Sequence, residues 1–569
     1  MLNDQQKQVI ESTAAGLAVT ACPGSGKTRT LVELFIQASR CLTPQQGVAA
    51  VSFTNVAADE VRKRCHELGT PWIPQFPNFV GSLDSFIFRY AVMPFGSPWS
   101  RGTRLRLLES WSRIDKGVTI GGAPISLDYF HFDKNEYSQI NWHLLPQALH
   151  AVAHANPEKL CRAASASRLS WLRRGYLSCA DARLISSMIL GVRENAVGFA
   201  RLMKSRFKHI LVDEAQDCNK HDVEFIKFLF LNNVKVTLFF DPDQSIYEFR
   251  GSLPGEISSL VSDLPQAIRL SNNYRSSQNI CNVATSMRGS SEQRDLAAGV
   301  NAASEIPVYI IPYDGKVSDA IGRDFCVLAG RHTIPLDECV VLSHSHLNTF
   351  RAVGGVLEQG ASLSTIGRIA SAVRPIFQGE TGRKLLESAR EISTLLLDRM
   401  GIKDERVLTD RERVFLRTQA LRVLGLLGAR PVSCDPAWVD FVRGCFEAAH
   451  PLPTRSFAKS VKLFISYNKT MKWPTYSAVR SVDLRATTIH QVKGQEFEAV
   501  ALVLVNDTAK REVIAHWRNR VQDSEGRRVL YVGATRARRL LALAVPQALV
   551  KDILGLCQRD GAKVITMLR

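Results

Sequence analysis

The segment 17–30, LAVTACPGSGKTRT, admits very few folds. An apolar run of strand length ends at Ala21, and Gly24, Ser25, Gly26, Lys27 and Thr28 then open a helical pattern. Glycines let backbone N–H groups curve around phosphate oxygens with no Cβ in the way, and the helix N-terminus adds its positive end. In such a loop Lys27 reaches the outer phosphates and the Thr28 hydroxyl ligates Mg²⁺. Gly24, Ser25, Gly26, Lys27, Thr28 and the adjoining Arg29 are therefore the candidate nucleotide contacts. Ala21 stands where the pattern usually has its first glycine.

A phosphate loop needs a carboxylate for the metal and a base for water. Residues 209–217, HILVDEAQD, are an apolar strand ending in two adjacent acids. That order puts Asp213 beside Mg²⁺ and leaves Glu214 to polarise an attacking water. Taken alone, an acidic pair after a strand also suits a solvated edge or a helix cap. Its pairing with the loop upstream favours the catalytic reading.

Continuous apolar runs recur at 48–54, 236–241, 307–312, 339–342, 486–489 and 499–505. Alternating with amphipathic helices, they read as buried parallel sheets with helices on both faces. They fall into two groups, which predicts two α/β lobes. Two stretches rich in helical spacings, from about 91 to 207 and from about 379 to 476, read as insertions.

With 569 residues, 45% hydrophobic and 22% charged, the chain has room for three or four domains with real cores. Its net charge of +18 favours polyanionic partners. Twelve cysteines without a C-x-x-C pair argue against a disulfide framework or a four-cysteine metal site. The polar N-terminus lacks a secretory build, and the apolar runs are too short to span a bilayer. A cytoplasmic protein without a membrane partner is the expectation.

The remaining motifs arrive in a fixed order, and together they resemble the UvrD/Rep/PcrA-type superfamily 1A DNA helicases. LNDQQ at 2–6 is similar to the family's N-terminal glutamine motif, which implies that Gln6 reads the adenine edge; an ordinary capped helix start is the competing reading. VSFTNVAADEVRKR at 51–64 resembles a DNA-contacting motif, implying roles for Phe53, Thr54 and Asn55. GSLDSF at 81–86 carries Asp84 where the family usually has histidine, so no DNA contact is assigned there.

FFDPDQSIYEFRGS at 239–252 is the most specific single match. It implies that Gln244 senses the γ-phosphate, while Tyr247 and Phe249, with Arg250, meet DNA. Ring faces grip any base, at roughly 1–3 kcal/mol per stacked base. Phe240 replaces the glycine usual before Asp241. LSNNYRSSQNI at 270–280 implies that Tyr274 stacks on adenine and Arg275 reaches the γ-phosphate. ATTIHQVKGQEFEAV at 486–500 places His490 and Lys493 near DNA and Glu496 near the nucleotide. EGRRVLYVGATRARR at 525–539 makes Arg536 an arginine finger. Gly526 stands where a second glutamate is common, and no role is carried to it.

The resemblance implies an α/β fold of two RecA-like parallel-sheet lobes, each with a mostly helical insertion. The expected first lobe is 1–90 with 208–275, interrupted by a helical insertion at 91–207. The second is 276–378 with 477–569, carrying a reduced insertion at 379–476. The implied activity is ATP- and Mg²⁺-dependent 3′→5′ movement on single-stranded DNA or tailed duplex, in repair, recombination or defence. Translocation is the safer inference, because the contracted second insertion is the part that controls unwinding in relatives. Few residues follow the strand 540–545, so no appended nuclease is expected. A second reading is an ATPase that serves a partner nuclease, as compact members of the family do in Gabija-type anti-phage systems. An RNA-directed motor is a third.

Overall fold

A computed structural model describes the chain except residues 1, 41, 44, 97–102, 115–116, 121–122, 135–136, 247–253, 291–293, 355–364, 378–382, 403–407, 434, 454–455, 466–481, 506–507 and 568–569. It forms two compact units. One comprises Met1–Lys316, Asp324–His344 and Thr487–Arg569; the other comprises Val317–Arg323 and Ser345–Ala486.

The first unit is built on two six-stranded sheets. Strands β1 (Gly16–Ala21), β2 (Gly47–Ser52), β3 (Phe79–Ser82), β4 (Phe207–Val212), β5 (Lys235–Phe240) and β6 (Gln266–Leu270) lie in the order β6-β1-β5-β4-β2-β3, and every pairing is parallel. Successive side chains of a strand leave opposite faces, so Leu17 and Val19 join one core and Ala18 the other. Helices α1 (Asp4–Glu11), α2 (Lys27–Ser39) and α3 (Asn55–Glu67) cover the Leu17 face. The opposite face packs on a ring cluster in which Phe86 sits 5.3 Å from Phe79, 5.0 Å from Tyr90 and 5.3 Å from Phe207. Burial on both faces is why these strands are continuous apolar runs rather than alternating ones.

The second sheet has β7 (Val308–Tyr313), β8 (Cys339–Ser343), β9 (Arg485–Thr488), β10 (Phe497–Val503), β11 (Ala537–Pro546) and β12 (Val564–Thr566) in the order β9-β8-β10-β11-β7-β12. Its core includes residues of α4 (Gln278–Ser286) and α5 (Glu525–Ala534), with Trp517 fully buried among them. The expected runs all became strands, within one or two residues at their ends. Strands β3, β6 and β12 are additional and short.

The insertion after β3 is less uniform than its sequence pattern predicts. Four helices (Gln147–Ala155, Pro157–Arg173, Cys179–Gly191 and Arg193–Arg206) follow two short antiparallel hairpins between Val118 and Ile140, and a parallel two-stranded ladder pairs Arg106–Leu108 with Tyr176–Ser178, between the second and third of these helices. A small core of its own, including Trp111, Leu160 and Trp171, supports these hairpins. The second unit is helical. Helices Thr365–Phe377, Arg383–Met400, Asp410–Leu427 and Pro436–Glu447 enclose the fully buried Trp438. Among the described residues no helix is long and apolar enough to cross a membrane.

Removing the hub of the ring cluster tests this account. Phe86→Ala is expected to cost about 3–5 kcal/mol in denaturant unfolding of the first unit, the range for truncating a buried aromatic.

Candidate active site

The loop between β1 and α2 bends through two left-handed glycines, Gly24 at φ +71° and Gly26 at φ +75°. A side chain is also excluded at Gly24 by contact: a Cβ there would lie 2.5 Å from the Arg275 Cβ and 2.7 Å from Asn273 Oδ1. The Tyr274 backbone N–H donates to the Gly24 carbonyl at 2.8 Å. The loop is thus bound through its backbone to the segment that leads into the second lobe. Ser25 Oγ is buried with no hydrogen-bond partner among the described residues.

Strand β4 neighbours β5, which neighbours β1, so the loops that follow all three strands meet at one sheet edge. Asp213 and Glu214 follow β4 there, and Asp241 to Gln244 follow β5. Lys27 Nζ lies 2.6 Å from Glu214 Oε1 and 3.6 Å from Asp213 Oδ1. Burial opposes the charge on Lys27, but the two carboxylates outweigh it and hold the ammonium well above the usual lysine value. Burial also pushes Asp213 up to about 6, against the pull of Lys27. For Glu214 the balance reverses: despite burial, Lys27 and Lys493 hold it down at about 2. Glu214 itself sits at φ +54°, a left-handed conformation that turns its carboxylate back towards the loop.

The second lobe supplies the facing wall. Strands β10 and β11 are neighbours, and the residues just before them, Glu496 and Arg536, emerge side by side. Arg275 Nε donates to Glu496 Oε2 at 2.6 Å, and its Nη1 to the Thr535 carbonyl at 3.1 Å. Despite burial, Arg275 keeps Glu496 below the ordinary glutamate range. Arg536 is buried and donates to Gln244 Oε1 at 3.3 Å. Burial and the nearby charge of Arg275 both press against its cation, so it sits where an incoming anion would stabilise it most. Lys27, Glu214, Gln244, Tyr274, Arg275, Glu496 and Arg536 line one cavity of about 320 Å³.

Beneath Gln244 lies a buried polar network that joins the lobes. Gln244 Nε2 donates to Asp241 Oδ2 at 2.9 Å, and the Tyr531 hydroxyl of α5 donates to the same oxygen at 2.9 Å. Arg288 reaches Asp243 at 3.1 Å, Asp295 at 2.9 Å and Asp241 at 3.4 Å. Arg527 completes Asp243 at 2.7 Å. Arg288 also lies 4.9 Å over the Tyr531 ring. Ile246, at the end of the same loop, is buried in the second lobe's core.

Several expected contacts sit elsewhere. Asn3 caps α1 in a capping box, and both ends of the Gln6 amide are engaged: Oε1 accepts from the Asn3 backbone at 3.0 Å and Nε2 donates to the Ser25 carbonyl at 3.0 Å. Gln6 therefore braces the phosphate loop, and the capped-helix reading accounts for it as found. Tyr274, 36% exposed, lines the cavity and accepts a hydrogen bond from Asn3 Nδ2 at 2.8 Å. Arg29 is exposed at the mouth.

Among the DNA candidates, Asn55 is exposed, Thr54 is exposed as the N-cap of α3, and Phe53 is half-buried against the first core. His490 is half-buried, its ring 5.7 Å from that of His344. Lys493 points into the nucleotide cavity instead of away from it, pairing with Asp217 at 2.6 Å and the Gln244 carbonyl at 3.2 Å. Tyr247, Phe249 and Arg250 lie outside the described residues.

The departures from the family pattern have local causes. Asp84 accepts an ion pair from Arg183 at 2.8 Å, and Arg183 also binds Asp222 at 2.7 Å, so this position is structural. Phe240 fills the first core. A Cβ at Gly526 would meet Val513 at 2.3 Å, which leaves no room for a glutamate. Sequence reasoning missed Arg64 and Arg538, which line the cavity, and Arg288 beneath it. Each is an arginine whose partner is distant in sequence or on a plain basic helix face, so no local signal marks it.

The fold and site define a two-lobed α/β protein with a phosphate-type loop on one lobe and arginines facing it from the other. The pattern of the UvrD/REP helicase N-terminal domain matches residues 2–92 and 168–265, and that of the UvrD-like helicase C-terminal domain matches residues 476–547. Over these segments the chain is similar to the UvrD/Rep-type superfamily 1A helicases. It is 29% identical over 303 residues to DNA helicase II of Escherichia coli, covering 50% of this chain and 40% of that protein. It is 29% identical over 292 residues to the ATP-dependent DNA helicase Rep of Buchnera aphidicola (50% and 45%), and 26% identical over 324 residues to the ATP-dependent DNA helicase srs2 of Schizosaccharomyces pombe (52% and 35%). The chain thus spans less than half the length of these relatives.

The interlobe network makes a separate expectation. Arg288→Met leaves three buried carboxylates short of a cation and should destabilise the first unit by about 3–5 kcal/mol in denaturant unfolding. An unchanged midpoint would show that the network is not needed for stability.

Proposed function

We propose that this protein is an ATP-dependent motor on single-stranded DNA, a translocase or helicase moving 3′→5′ in repair, recombination or defence, and acting in the cytoplasm. The observation that carries the reading is the composite cavity: Lys27, Glu214 and Gln244 come from one lobe, Arg536 from the other, and Arg275 from the segment where the chain passes between them. This split supports a cycle in which bound nucleotide changes how tightly the two halves of the site are held together. The first lobe in this reading is 1–90 with 208–275 and the second 276–378 with 477–569, with 91–207 and 379–476 as insertions.

The residues present fit a nucleotide with a divalent cation. The left-handed glycines aim backbone N–H groups into the loop, the buried Ser25 hydroxyl has no partner among the described residues, and Thr28 and Asp213 offer the hard oxygens that Mg²⁺ prefers. When bound, the cation neutralises phosphate charge. Lys27 would leave Glu214 for the outer phosphates. Glu214 would then orient and deprotonate water, Gln244 would sense the γ-phosphate, and Arg275 and Arg536 would stabilise charge as it develops. Tyr274 would stack on the base. Gln244 is hydrogen-bonded to Arg536 and tied through Asp241 to Tyr531, which supports a mechanical link between phosphate state and lobe position.

Lys27→Ala and Glu214→Gln are each expected to abolish ATPase activity stimulated by single-stranded DNA, a loss of about two orders of magnitude or more. Unchanged turnover in either variant would sink the site assignment. A pH test addresses Asp213, whose carboxyl is raised to about 6, first by burial. It must be ionised to hold a cation, so affinity for Mg²⁺-nucleotide should climb as pH rises through about 6 and level off above about 7. Titration of a fluorescent nucleotide across that range should show the slope, and Asp213→Asn should flatten it.

A further inference from the structure

We propose that the outward face of the helix Asp410–Leu427, in the second unit, is a docking seam for an acidic amphipathic helix of a partner protein. One side of this helix packs inward through Leu416, Ala420 and Val423, all of them in the core around Trp438. A helix buried on one side normally shows water a polar face. This one shows Val414, 64% exposed, and Leu421, 55% exposed, with exposed Thr418 and Gly425 between and beyond them. The spacing of 414, 418, 421 and 425 is four, three, four, the alternation that keeps a seam facing a second helix. A Cβ placed on Gly425 would meet nothing within 4 Å, so the seam is open at that end.

Charge identifies the occupant. At about 100° per residue, Arg417 flanks the seam on one side and Arg411 and Arg422 flank it on the other. All three are exposed, and none forms an ion pair among the described residues. From Arg411 to Leu427 the only acid is Glu412; it lies on the opposite side of the helix and is held by Thr409 at 2.8 Å. Beyond Asp410 at the helix start, a seam carrying Val414 and Leu421 and flanked by arginines matches a helix with apolar residues at its own seam and Glu or Asp on both flanks. A second copy of this chain would set arginine against arginine. A nucleic-acid backbone would leave Val414 and Leu421 unused. The inference goes beyond the motor reading and does not depend on it, because the face lies in the other unit.

The test uses the full chain and two labelled synthetic helices of about four heptads, with Leu at the seam and either Glu or Lys on both flanks. Fluorescence anisotropy should show the Glu helix binding about tenfold or more tightly than the Lys helix. Leu421→Asp, a change at an exposed site, should weaken the Glu helix by about tenfold or more, with an unchanged thermal midpoint. Arg417→Glu combined with Arg422→Glu should reverse the preference towards the Lys helix, a gain that misfolding cannot mimic. The proposal is overturned if the two helices bind alike, or if Leu421→Asp binds as well as the parent. It is equally overturned if the double variant loses affinity for duplex DNA while its helix preference stays the same, or if the chain self-associates and Leu421→Asp abolishes that.

Discussion

Asp241, Asp243 and Asp295 are buried together, and three adjacent carboxylates removed from water repel one another unless cations reach them. Those cations, Arg288 and Arg527, arrive with the second lobe, and the Tyr531 hydroxyl fills the remaining acceptor. This requirement explains much of the surrounding architecture. Arg288, just after α4, and Arg527 of α5 must sit where they can enter the first lobe's loop, and Arg536, which follows α5, is thereby held against Gln244. Replacing such a network with apolar groups of equal volume need not cost stability. Its ionic form is better explained by orientation than by strength, since a charged fork accepts only one arrangement of the two sheets.

The site inherits its geometry from that arrangement. The first lobe contributes most of the lining and the second adds Lys493, Glu496, Arg536 and Arg538, while the loop around Gly24 touches the segment leading into the second lobe so closely that no side chain would fit. Movement of either lobe must therefore be felt at the phosphate position, through the Gly24 backbone on one side and the Gln244–Asp241 pair on the other. Lys493 adds a third link, since it belongs to the second lobe but pairs with Asp217 in the first.

The parts of the fold legible in the sequence were those with local causes. A strand buried on both faces must be continuously apolar, so β1, β4, β5 and β10 could be read directly. Strand β6, QAIRL, is half-exposed at the sheet edge and carries an arginine, while β3, FVGS, is four residues long and contains glycine. Neither has a run long enough to stand out. The hairpins between 118 and 140 escaped notice because a small satellite core stabilises them, and no periodicity reveals such a core. In the site, residues inside contiguous motifs could be named. Arg288 could not, because its partners lie 45 and 47 residues away in one direction and seven in the other. Gln6 was legible as a position but not in its bonding: its partners, the Asn3 backbone and the Ser25 carbonyl, are set by the capped turn and the phosphate loop.

The ion pair between Lys27 and Glu214 has one more consequence. A carboxylate held at about 2 accepts protons poorly, so in the empty cleft the residue proposed to activate water is disarmed by the residue proposed to grip phosphate. In the proposed cycle, phosphates arriving at the loop would draw the ammonium away and restore the basicity of Glu214 in the same event. Such an arrangement would act as an interlock, with the chemistry armed by its own cargo.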